Sequence, residues 1–329
     1  MRILIDANGG DKAPNAQIDA SVKAVEELGV DIILVGKKDT IKNRLSELSY
    51  IGNKIEIVDA PDTIENTESP VDAVKKKENS SIVVASRMLK EGRADALITS
   101  GSTGAMLVCG LLIIGRIKGI KRPALATLLP TKNGPKLLID SGANTNCSNI
   151  NLLQFAQMGS IYMKLYARDE NPSVGLISNG EEDEKGNSFV KGVNRDLKIA
   201  DINFIGNIEG RDVMEGKADV TVCDGFIGNI ILKTIEGTAS VLTKEMKIMF
   251  TKSIVTKISA IFVNKGLKQF KKKYDYREYG GAPLLGVNSL MIKAHGSSDE
   301  KAFLNAIKQA INAYECDLIN KIRSSIITK

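Results

Sequence analysis

The sequence is poor in the residues that build metal sites and disulfides. It contains a single histidine, His295, and its four cysteines lie far apart, with no Cys-x-x-Cys pair among them. A disulfide framework and a Cys/His zinc site are therefore both disfavoured. We expect neither a metal ion nor a cofactor.

Long hydrophobic runs are also missing. The longest mostly apolar stretch, GAMLVCGLLIIG from Gly104, is shorter than the roughly 20 residues that a membrane-spanning helix needs. We interpret it as a buried helix. The first residues, MRILIDANGG, form a strand pattern without an apolar signal segment. We therefore expect a cytoplasmic protein.

The common nucleotide-binding signatures are absent as well. The sequence has no G-x-x-x-x-G-K-[ST] and no G-x-G-x-x-G, and GSTG at Gly101 lacks the spacing of a nucleophile elbow. We therefore expect that an anion bound by this protein is held neither by a P-loop nor in the Rossmann manner.

Strand and helix patterns alternate along all 329 residues, 43% of which are hydrophobic, enough for a full core. Short β-branched runs such as RILIDA, DIILVG and DVTVCDG are separated by helical patterns, which indicates a mainly parallel sheet buried on both faces. We predict one α/β domain over residues 1–329 with a doubly wound, Rossmann-like α/β/α sheet. LATLLPT and LLGVNSLMIKAHG are predicted as later strands that could pair antiparallel.

Five of the predicted strands end in a small-residue loop that opens a helix. The loops are DANGGDKAP, TSGSTGA, DSGANTNC, SNGEEDEKGN and CDGFIGN. Ligands of an open parallel sheet bind at the carboxyl edge of its strands, where glycine allows close approach and helix N-termini offer free amides. Five such loops on one edge predict a composite anion site. The alternative is a set of ordinary glycine-rich βα turns.

Nine motifs resemble the bacterial phosphate acyltransferases of the PlsX family, in order and at matching separations over nearly the whole chain. They are DANGGDKAPN, SGSTGAML, RPALATLLPT, LIDSGANTNC, LLQFAQMGS, NGEEDEKGN, INFIGNIEGRD, ADVTVCDGFIGNIILKTIEG and EYGGAPLLGVNSLMIKAHGSSD. The resemblance implies an enzyme that moves a long-chain fatty acyl group from acyl carrier protein to inorganic phosphate, giving acyl phosphate for phospholipid synthesis. It also implies a scaffold like that of phosphotransacetylase and isopropylmalate dehydrogenase.

The resemblance further implies a homodimer that associates peripherally with the inner face of the cell membrane. Its product would pass to a glycerol-3-phosphate acyltransferase in the bilayer. Nucleic acid is not among the expected partners.

Phosphate attack on a thioester places negative charge on the carbonyl oxygen, so the reaction calls for cationic and amide donors. In the matching motifs, GEEDEKGN supplies Lys185 and Asn187, and DGFIGN supplies Asn229. We expect Lys185 and Asn229 to be the catalytic pair, with Lys185 orienting phosphate and Asn229 steadying the oxyanion. The carboxylates of residues 181–184 would sit before or within the first helical turn, where they suit the helix dipole, and they could hold Lys185. A general-base role is less expected, because phosphate is already ionised.

The other predicted substrate- or phosphate-binding residues lie in the glycine-rich loops and at the histidine. They are Asp6, Gly9, Gly10, Asp11, Ser102, Thr103, Gly104, Asn187, Gly228 and His295. Asp11 could instead cap the helix that begins at Pro14. His295 could bind phosphate with Lys293 or Ser297, or be a structural turn residue. Relative to the family, Lys12 replaces a usual histidine and Ser102 a usual asparagine.

Cys223 invites a thioester-exchange mechanism, but it ends an apolar strand, where a buried inert thiol is common.

The net charge of +6 is unevenly distributed. The segment from Lys244 to Lys273 holds nine lysines and one acid, Glu245. Its apolar residues Ile254, Val255, Ile258, Ile261 and Phe262 recur at helical spacing. We predict an inserted helical region at about 240–275 that contacts an anionic membrane, or alternatively acidic carrier protein, the core or a second subunit. The predicted contact residues are Lys252, Lys257, Ile258, Phe262, Lys265 and Lys268.

Two rival interpretations stay open. One is a phosphotransacetylase-like enzyme that uses acyl coenzyme A. The other is a non-catalytic adaptor that docks acyl carrier protein at the membrane, against which the intact GEEDEKGN and DGFIGN motifs argue.

Overall fold

The computed structural model describes residues 1–326, apart from the side chains of Ile261, Lys271 and Tyr276. Ile261, part of the predicted apolar helix face, therefore lies outside the described side chains. The strands are β1 (Arg2–Asp6), β2 (Asp31–Gly36), β3 (Ile55–Asp59), β4 (Ala96–Thr99), β5 (Ala124–Thr131), β6 (Gly134–Ile139), β7 (Val174–Ile177), β8 (Phe204–Ile208), β9 (Val220–Val222), β10 (Ala282–Leu285) and β11 (Leu290–Lys293).

The helices are α1 (Asn15–Leu28), α2 (Lys38–Glu47), α3 (Pro70–Lys76), α4 (Ser81–Lys90), α5 (Thr103–Cys109), α6 (Asn149–Ala167), α7 (Ser188–Lys198), α8 (Gly210–Glu215), α9 (Gly225–Thr251), α10 (Ile254–Lys273), α11 (Glu300–Glu315) and α12 (Leu318–Ser325). A π-helical turn, Gly110–Ile114, continues α5. No helix of residues 1–326 is long and apolar enough to cross a membrane.

The strands form one mainly parallel sheet in the order β3-β2-β1-β4-β11-β10-β5-β6-β9-β7-β8. Strands β1 to β4 and β11 run in one direction. Strand β10 is antiparallel to both β11 and β5, and β5 is antiparallel to β6. The predicted α/β sheet and the antiparallel pairing of its later strands are confirmed.

The direction of the strands reverses across the sheet, which corrects one prediction. Three successive antiparallel pairings, β11 with β10, β10 with β5 and β5 with β6, reverse the direction, so β6 and the strands β9, β7 and β8 parallel to it run opposite to β1 and β4. We call the edge where β1, β4 and β11 end the first edge, and the edge where β6, β7 and β9 end the second edge. The glycine-rich loops after β1 and β4 lie at the first edge, and the other three lie at the second. The expectation that all five share one edge is wrong.

Both faces of the sheet are covered by helices, which explains why its strands are apolar throughout. Successive residues of a strand point to opposite faces. Ile3 therefore packs in the cluster that includes Phe155 of α6 and Phe303 of α11, while Leu4 packs in the cluster that includes Met106 of α5. The buried helix predicted at Gly104 is α5 with its π-helical turn.

Helices α9 and α10 form a hairpin that contains the helical region predicted at about 240–275. The buried residues of α9 are Gly225 and Gly228, and the described side chains of α10 are exposed or half-buried. The Ser253 hydroxyl accepts a hydrogen bond from the Thr256 amide (3.2 Å), so α10 begins directly after α9. At the far end, Lys273 Nζ donates to the Lys132 carbonyl (2.9 Å), which ties the hairpin to the turn between β5 and β6.

Candidate active site

At the first edge, the loops after β1 and β4 are in direct contact. Asp6 is buried at the end of β1 and accepts a hydrogen bond from Thr99 Oγ1 (2.7 Å). Burial raises the pKa of Asp6, and the hydrogen bonds it accepts oppose that rise. A Cβ on Gly9 would lie 2.6 Å from Asp6 Oδ2 and 2.7 Å from the Gly101 nitrogen. The two predicted loops can therefore meet only because position 9 is glycine.

The segment after β11 joins these loops. The Asp11 amide donates to the Gly296 carbonyl (2.8 Å). Gly10 has φ +102°, and a Cβ there would lie 2.6 Å from Ser100 Oγ. Asp6, Gly9, Gly10 and Asp11 are thus brought next to the histidine segment.

His295 lies in a group of charged side chains. Its Nδ1 is 2.8 Å from Ser297 Oγ, and its Nε2 is 3.2 Å from Lys233 Nζ. Lys233 also pairs with Glu236 at 2.7 Å. The pKa of Lys293 is lowered to about 8, mainly by desolvation and also by the nearby Lys233 charge, while Asp6 and Asp11 oppose this shift. Two lysines and an imidazole therefore gather at the first edge.

At the second edge, Asp140 organises the loop that follows β6. Asp140 is buried, and its carboxylate accepts hydrogen bonds from the backbone amides of Leu125 (3.1 Å), Ala143 (3.0 Å) and Asn144 (2.7 Å). Burial raises the pKa of Asp140, and these hydrogen bonds lower it. The loop is therefore held rigidly from within.

The first turn of α9 packs on this loop. The Gly225 amide donates to the Asn144 carbonyl (2.7 Å). A Cβ on Gly228 would lie 1.9 Å from the Asp140 carbonyl oxygen, so that position requires glycine. The exposed Asn229 side chain comes within 3.5 Å of the place where a Cβ on Gly142 would be. The predicted donor Asn229 thus lies over Gly142.

Lys185 lies in the loop after β7, the strand next to β9. Its side chain is exposed, and its stem packs over Gly180, where a Cβ would lie 2.6 Å from Lys185 Cγ. The turn is closed by Asn179 Oδ1, which accepts from the Gly186 amide (2.7 Å). Asn187 is the N-cap of α7, and its Oδ1 accepts from the Val190 amide (2.9 Å). The structure therefore gives Asn187 a capping role.

The acidic run before Lys185 binds neighbouring lysines. Glu181 pairs with Lys217 at 2.8 Å, Asp183 with Lys198, and Glu184 with Lys191 at 3.7 Å. Within the described residues, no carboxylate lies within ion-pair distance of Lys185, and α7 begins only at Ser188. These carboxylates therefore hold the loop to the neighbouring elements, and the expectation that they hold Lys185 is wrong.

Other predicted residues have structural roles. Helix α1 begins at Asn15 without a side-chain cap, so the capping interpretation of Asp11 is wrong. Ser102 is the N-cap of α5, where it accepts from the Ala105 amide (3.3 Å). Gly104 follows Thr103 in the first turn of α5, and a Cβ there would lie 2.5 Å from Pro70 Cγ. The three residues therefore lie where α5 begins and packs on α3.

Cys223 is the buried thiol that the apolar strand indicated. Burial raises its pKa well above the ordinary value, and the Asp140 and Asp224 charges add to this rise. A thiolate nucleophile is therefore disfavoured at this position.

Helix α9 connects the two groups of predicted residues. Lys185, Asn187, Gly228 and Asn229 belong to the second edge, and the remaining predicted residues belong to the first. Asn229 and Lys233 are four residues apart on α9, so they share one face. Lys233, Asp140 and Asn144 were missed by the sequence reasoning. The spacing from Asn229 was the signal that could have found Lys233.

Among residues 1–326, no group of three or more histidine, cysteine, aspartate or glutamate side chains is placed to hold a metal ion.

The chain matches the family model described as fatty acid synthesis protein over residues 1–321. It is 48% identical to the phosphate acyltransferase of Clostridium novyi (strain NT) over 330 residues, 100% of this chain and 99% of that protein. The phosphate acyltransferase of Thermoanaerobacterium thermosaccharolyticum is 48% identical over 326 residues, 99% of this chain and 97% of that protein. This chain belongs to the phosphate acyltransferase family. The resemblance to the PlsX phosphate acyltransferases is confirmed.

The fold of this phosphate acyltransferase family member is shared with solved phosphotransacetylases. EutD phosphotransacetylase from Staphylococcus aureus superposes with a TM-score of 0.61 at 16% identity, covering 96% of this chain and 94% of that one. A phosphotransacetylase from Streptococcus pyogenes superposes with a TM-score of 0.59 at 15% identity, covering 98% and 94%. These likenesses confirm the predicted scaffold.

Proposed function

We propose that the protein moves a long-chain fatty acyl group from the thioester of acyl carrier protein to inorganic phosphate. The product is an acyl phosphate that serves as an acyl donor for phospholipid synthesis. Membership of the phosphate acyltransferase family supports acyl transfer to phosphate. The observation that carries the proposal is an amide donor and a lysine, Asn229 and Lys233, one turn apart on the same face of α9.

The chemistry assigns these groups different tasks. A phosphate oxygen forms a bond to the thioester carbon, the C–S bond breaks, and the carrier thiolate leaves and takes a proton from solvent. The carbonyl oxygen becomes negative on the way, and a donor fixed at that point lowers the barrier. We assign this role to Asn229, whose backbone is fixed by the contact of Gly228 with Asp140.

Phosphate binding calls for cationic side chains that are already in position before phosphate arrives. Lys233 lies on α9, where it contacts His295 of the first edge, and Lys185 lies in the loop after β7 at the second edge. Asn229 and Lys233 are about 6 Å apart along the helix axis. We assign phosphate to the space over these first turns, where Lys185, Lys233 and Lys293 neutralise its charge and His295 adds a ring nitrogen. This arrangement retains Lys185 as a catalytic residue.

We further propose a homodimer that associates peripherally with the inner face of the cell membrane, close to the membrane glycerol-3-phosphate acyltransferase that uses its product. The α9–α10 hairpin supports this, because Ile258 and Phe262 are exposed. The exposed cations around them are Lys252, Lys257, Lys265 and Lys268. Exposed apolar side chains surrounded by lysines suit an anionic lipid surface.

The test of the activity combines the purified protein with long-chain acyl carrier protein and inorganic phosphate. Free carrier thiol and hydroxylamine-trappable acyl phosphate are measured together, with a phosphate-free reaction as the control. We expect both products only when phosphate is present. Reaction with acyl coenzyme A but not with acyl carrier protein would favour the phosphotransacetylase-like alternative. No reaction with either donor would favour the non-catalytic adaptor.

A further inference from the structure

A second basic surface, separate in sequence from the lysines of α10, lies in the loop between the π-helical turn and β5. Between Asp95 and Asp169 the sequence has a single carboxylate, Asp140, and that one is buried. The loop from Gly115 to Pro123 carries four exposed cations within this stretch: Arg116, Lys118, Lys121 and Arg122. In the part of the chain that the structure describes, none of the four forms an ion pair. Their charge is therefore available to a partner.

This basic loop is joined directly to the second edge of the candidate active site. The Pro123 carbonyl accepts from Asn144 Nδ2 (2.7 Å), and the Asn144 carbonyl accepts from the Gly225 amide at the start of α9 (2.7 Å). Lys121 and Arg122 line an open pocket together with Cys147 and Ser148, which follow the Asp140 loop. A partner bound to these cations would thus lie beside the turn that carries Asn229.

The basic loop and the C-terminal end of α10 lie at opposite ends of β5. Arg122 precedes the first residue of β5 at the second edge, while the hairpin is anchored at Lys132, directly after its last residue. Eight extended residues separate them by roughly 25 Å. A membrane against the exposed side chains of α10 would leave the basic loop accessible from the water side.

We propose that the Gly115–Pro123 loop is the docking surface for acyl carrier protein. The inference rests on the proposed function, which supplies a strongly acidic carrier as acyl donor. Opposite charge on two surfaces speeds association and fixes orientation. The carrier would bind by its acidic face to Lys118, Lys121 and Arg122 and present its thioester to Asn229. The hairpin lysines then serve the membrane and not the carrier.

The test reverses two charges and compares two substrates. Lys121→Glu with Arg122→Glu is assayed with long-chain acyl carrier protein and with an uncharged small thioester, an S-acyl-N-acetylcysteamine. We expect the KM for the carrier substrate to rise about tenfold or more, as association weakens. The kcat and the KM for the small thioester should stay within about twofold of wild type, because Asn229 and Lys185 are untouched.

Matched control variants distinguish a loss of carrier docking from a general effect of charge reversal. Lys38→Glu with Lys42→Glu reverses two exposed charges on α2 and should leave carrier binding unchanged. Lys118→Glu, which alters one exposed side chain, provides a second variant of the loop if the double variant is poorly folded. Direct binding of carrier protein, measured by fluorescence anisotropy at low and high salt, gives a readout that does not depend on turnover.

The outcomes distinguish failure of the docking surface from failure of the proposed function. Normal turnover with unchanged carrier binding in both loop variants would refute the docking proposal and leave the proposed acyltransferase activity unaffected. Carrier binding that is lost in the loop variants of a protein without turnover would support the surface and reject the acyltransferase. An equal loss of carrier binding in the α2 control would also overturn the proposal. So would loop variants that lose binding to anionic vesicles but keep their binding to carrier protein.

Discussion

At the scale of single residues, the side chains of Asn229 and Lys185 are exposed and cap no helix, whereas several other predicted residues have structural roles. Ser102 and Asn187 use their oxygens as helix caps, and Asp6 is buried beneath the loops. Sequence motifs do not separate these cases, because a capping side chain and a ligand-binding side chain are drawn from the same residue types.

Asn229→Ala should lower kcat by about 10²–10³, because one donor to the developing oxyanion is removed. The KM for phosphate should change little. The measurement is steady-state release of carrier thiol, with Asn43→Ala on the exposed surface of α2 as the matched control. An Asn229→Ala enzyme with nearly normal kcat would show that the oxyanion donor lies elsewhere.

The phosphate-binding role proposed for the lysine pair at the first edge predicts that phosphate binding depends on pH. Lys293 has a pKa lowered to about 8 mainly by desolvation, so it is charged below that pH and neutral above it. Phosphate needs the charged form, and kcat/KM for phosphate should therefore fall as pH rises through about 8. Lys293→Arg should move that fall to higher pH, since arginine stays protonated. A profile that is flat between pH 7 and 9 would contradict this assignment.

Lys233→Ala should raise the KM for phosphate about tenfold, as one cation facing the dianion is lost, while the KM for the thioester stays unchanged. Lys42→Ala, on α2, is the control. An increase in the thioester KM alone would place Lys233 on the acyl donor instead.

At the scale of elements, the contact between α9 and the Asp140 loop can be tested with two glycines of one helix. Gly228→Ala would place a Cβ 1.9 Å from the Asp140 carbonyl oxygen, whereas Gly237 has nothing within 4 Å. Gly228→Ala should therefore lower Tm and abolish turnover by displacing Asn229. Gly237→Ala should keep full activity and stabilise the helix by up to about 1 kcal/mol. Thermal unfolding and thiol release measure both, and equal behaviour of the two variants would refute the close contact.

The strands and helices can be predicted from the sequence, but the predicted common direction of the strands before the glycine-rich loops is wrong. Apolar β-branched runs identify strands because a sheet buried on both faces needs them. The reversal is caused by the two-residue turn between β5 and β6, at Lys132 and Asn133, which makes the two strands antiparallel. Asn133 followed by Gly134, with φ +95° at the glycine, is a strong hairpin signal. This signal is present in the sequence, and it predicts that the glycine-rich loops are divided between two edges of the sheet.

Contacts that join the two edges could not be read from the sequence in the same way. The approach of Lys233 to His295 joins residues that are 62 positions apart. It depends on how α9 crosses the twisted sheet, and no local propensity specifies that crossing. Helical spacing identifies which residues share a face, but not what that face meets.

At the scale of the whole molecule, the α9–α10 hairpin places exposed apolar side chains at one end. Ile258→Asp with Phe262→Asp should release the protein from anionic vesicles, because it adds charge to a surface that would lie among acyl chains. Co-sedimentation with vesicles rich in anionic lipid measures the effect. Ile51→Asp with Ile199→Asp is the matched control, since both isoleucines are highly exposed outside the hairpin.

The same variants separate membrane contact from dimer contact. If the hairpin meets lipid, the double aspartate variant should leave the vesicles while its mass in light scattering is unchanged. If the hairpin instead packs against a second subunit, the mass should fall by half, because charge would be buried in an apolar interface. Retention on vesicles with an unchanged mass would exclude both roles for Ile258 and Phe262. Activity with a water-soluble thioester should survive in the first case, since the groups assigned to the reaction lie on the first turns of α9 and in the loops at the two edges of the sheet.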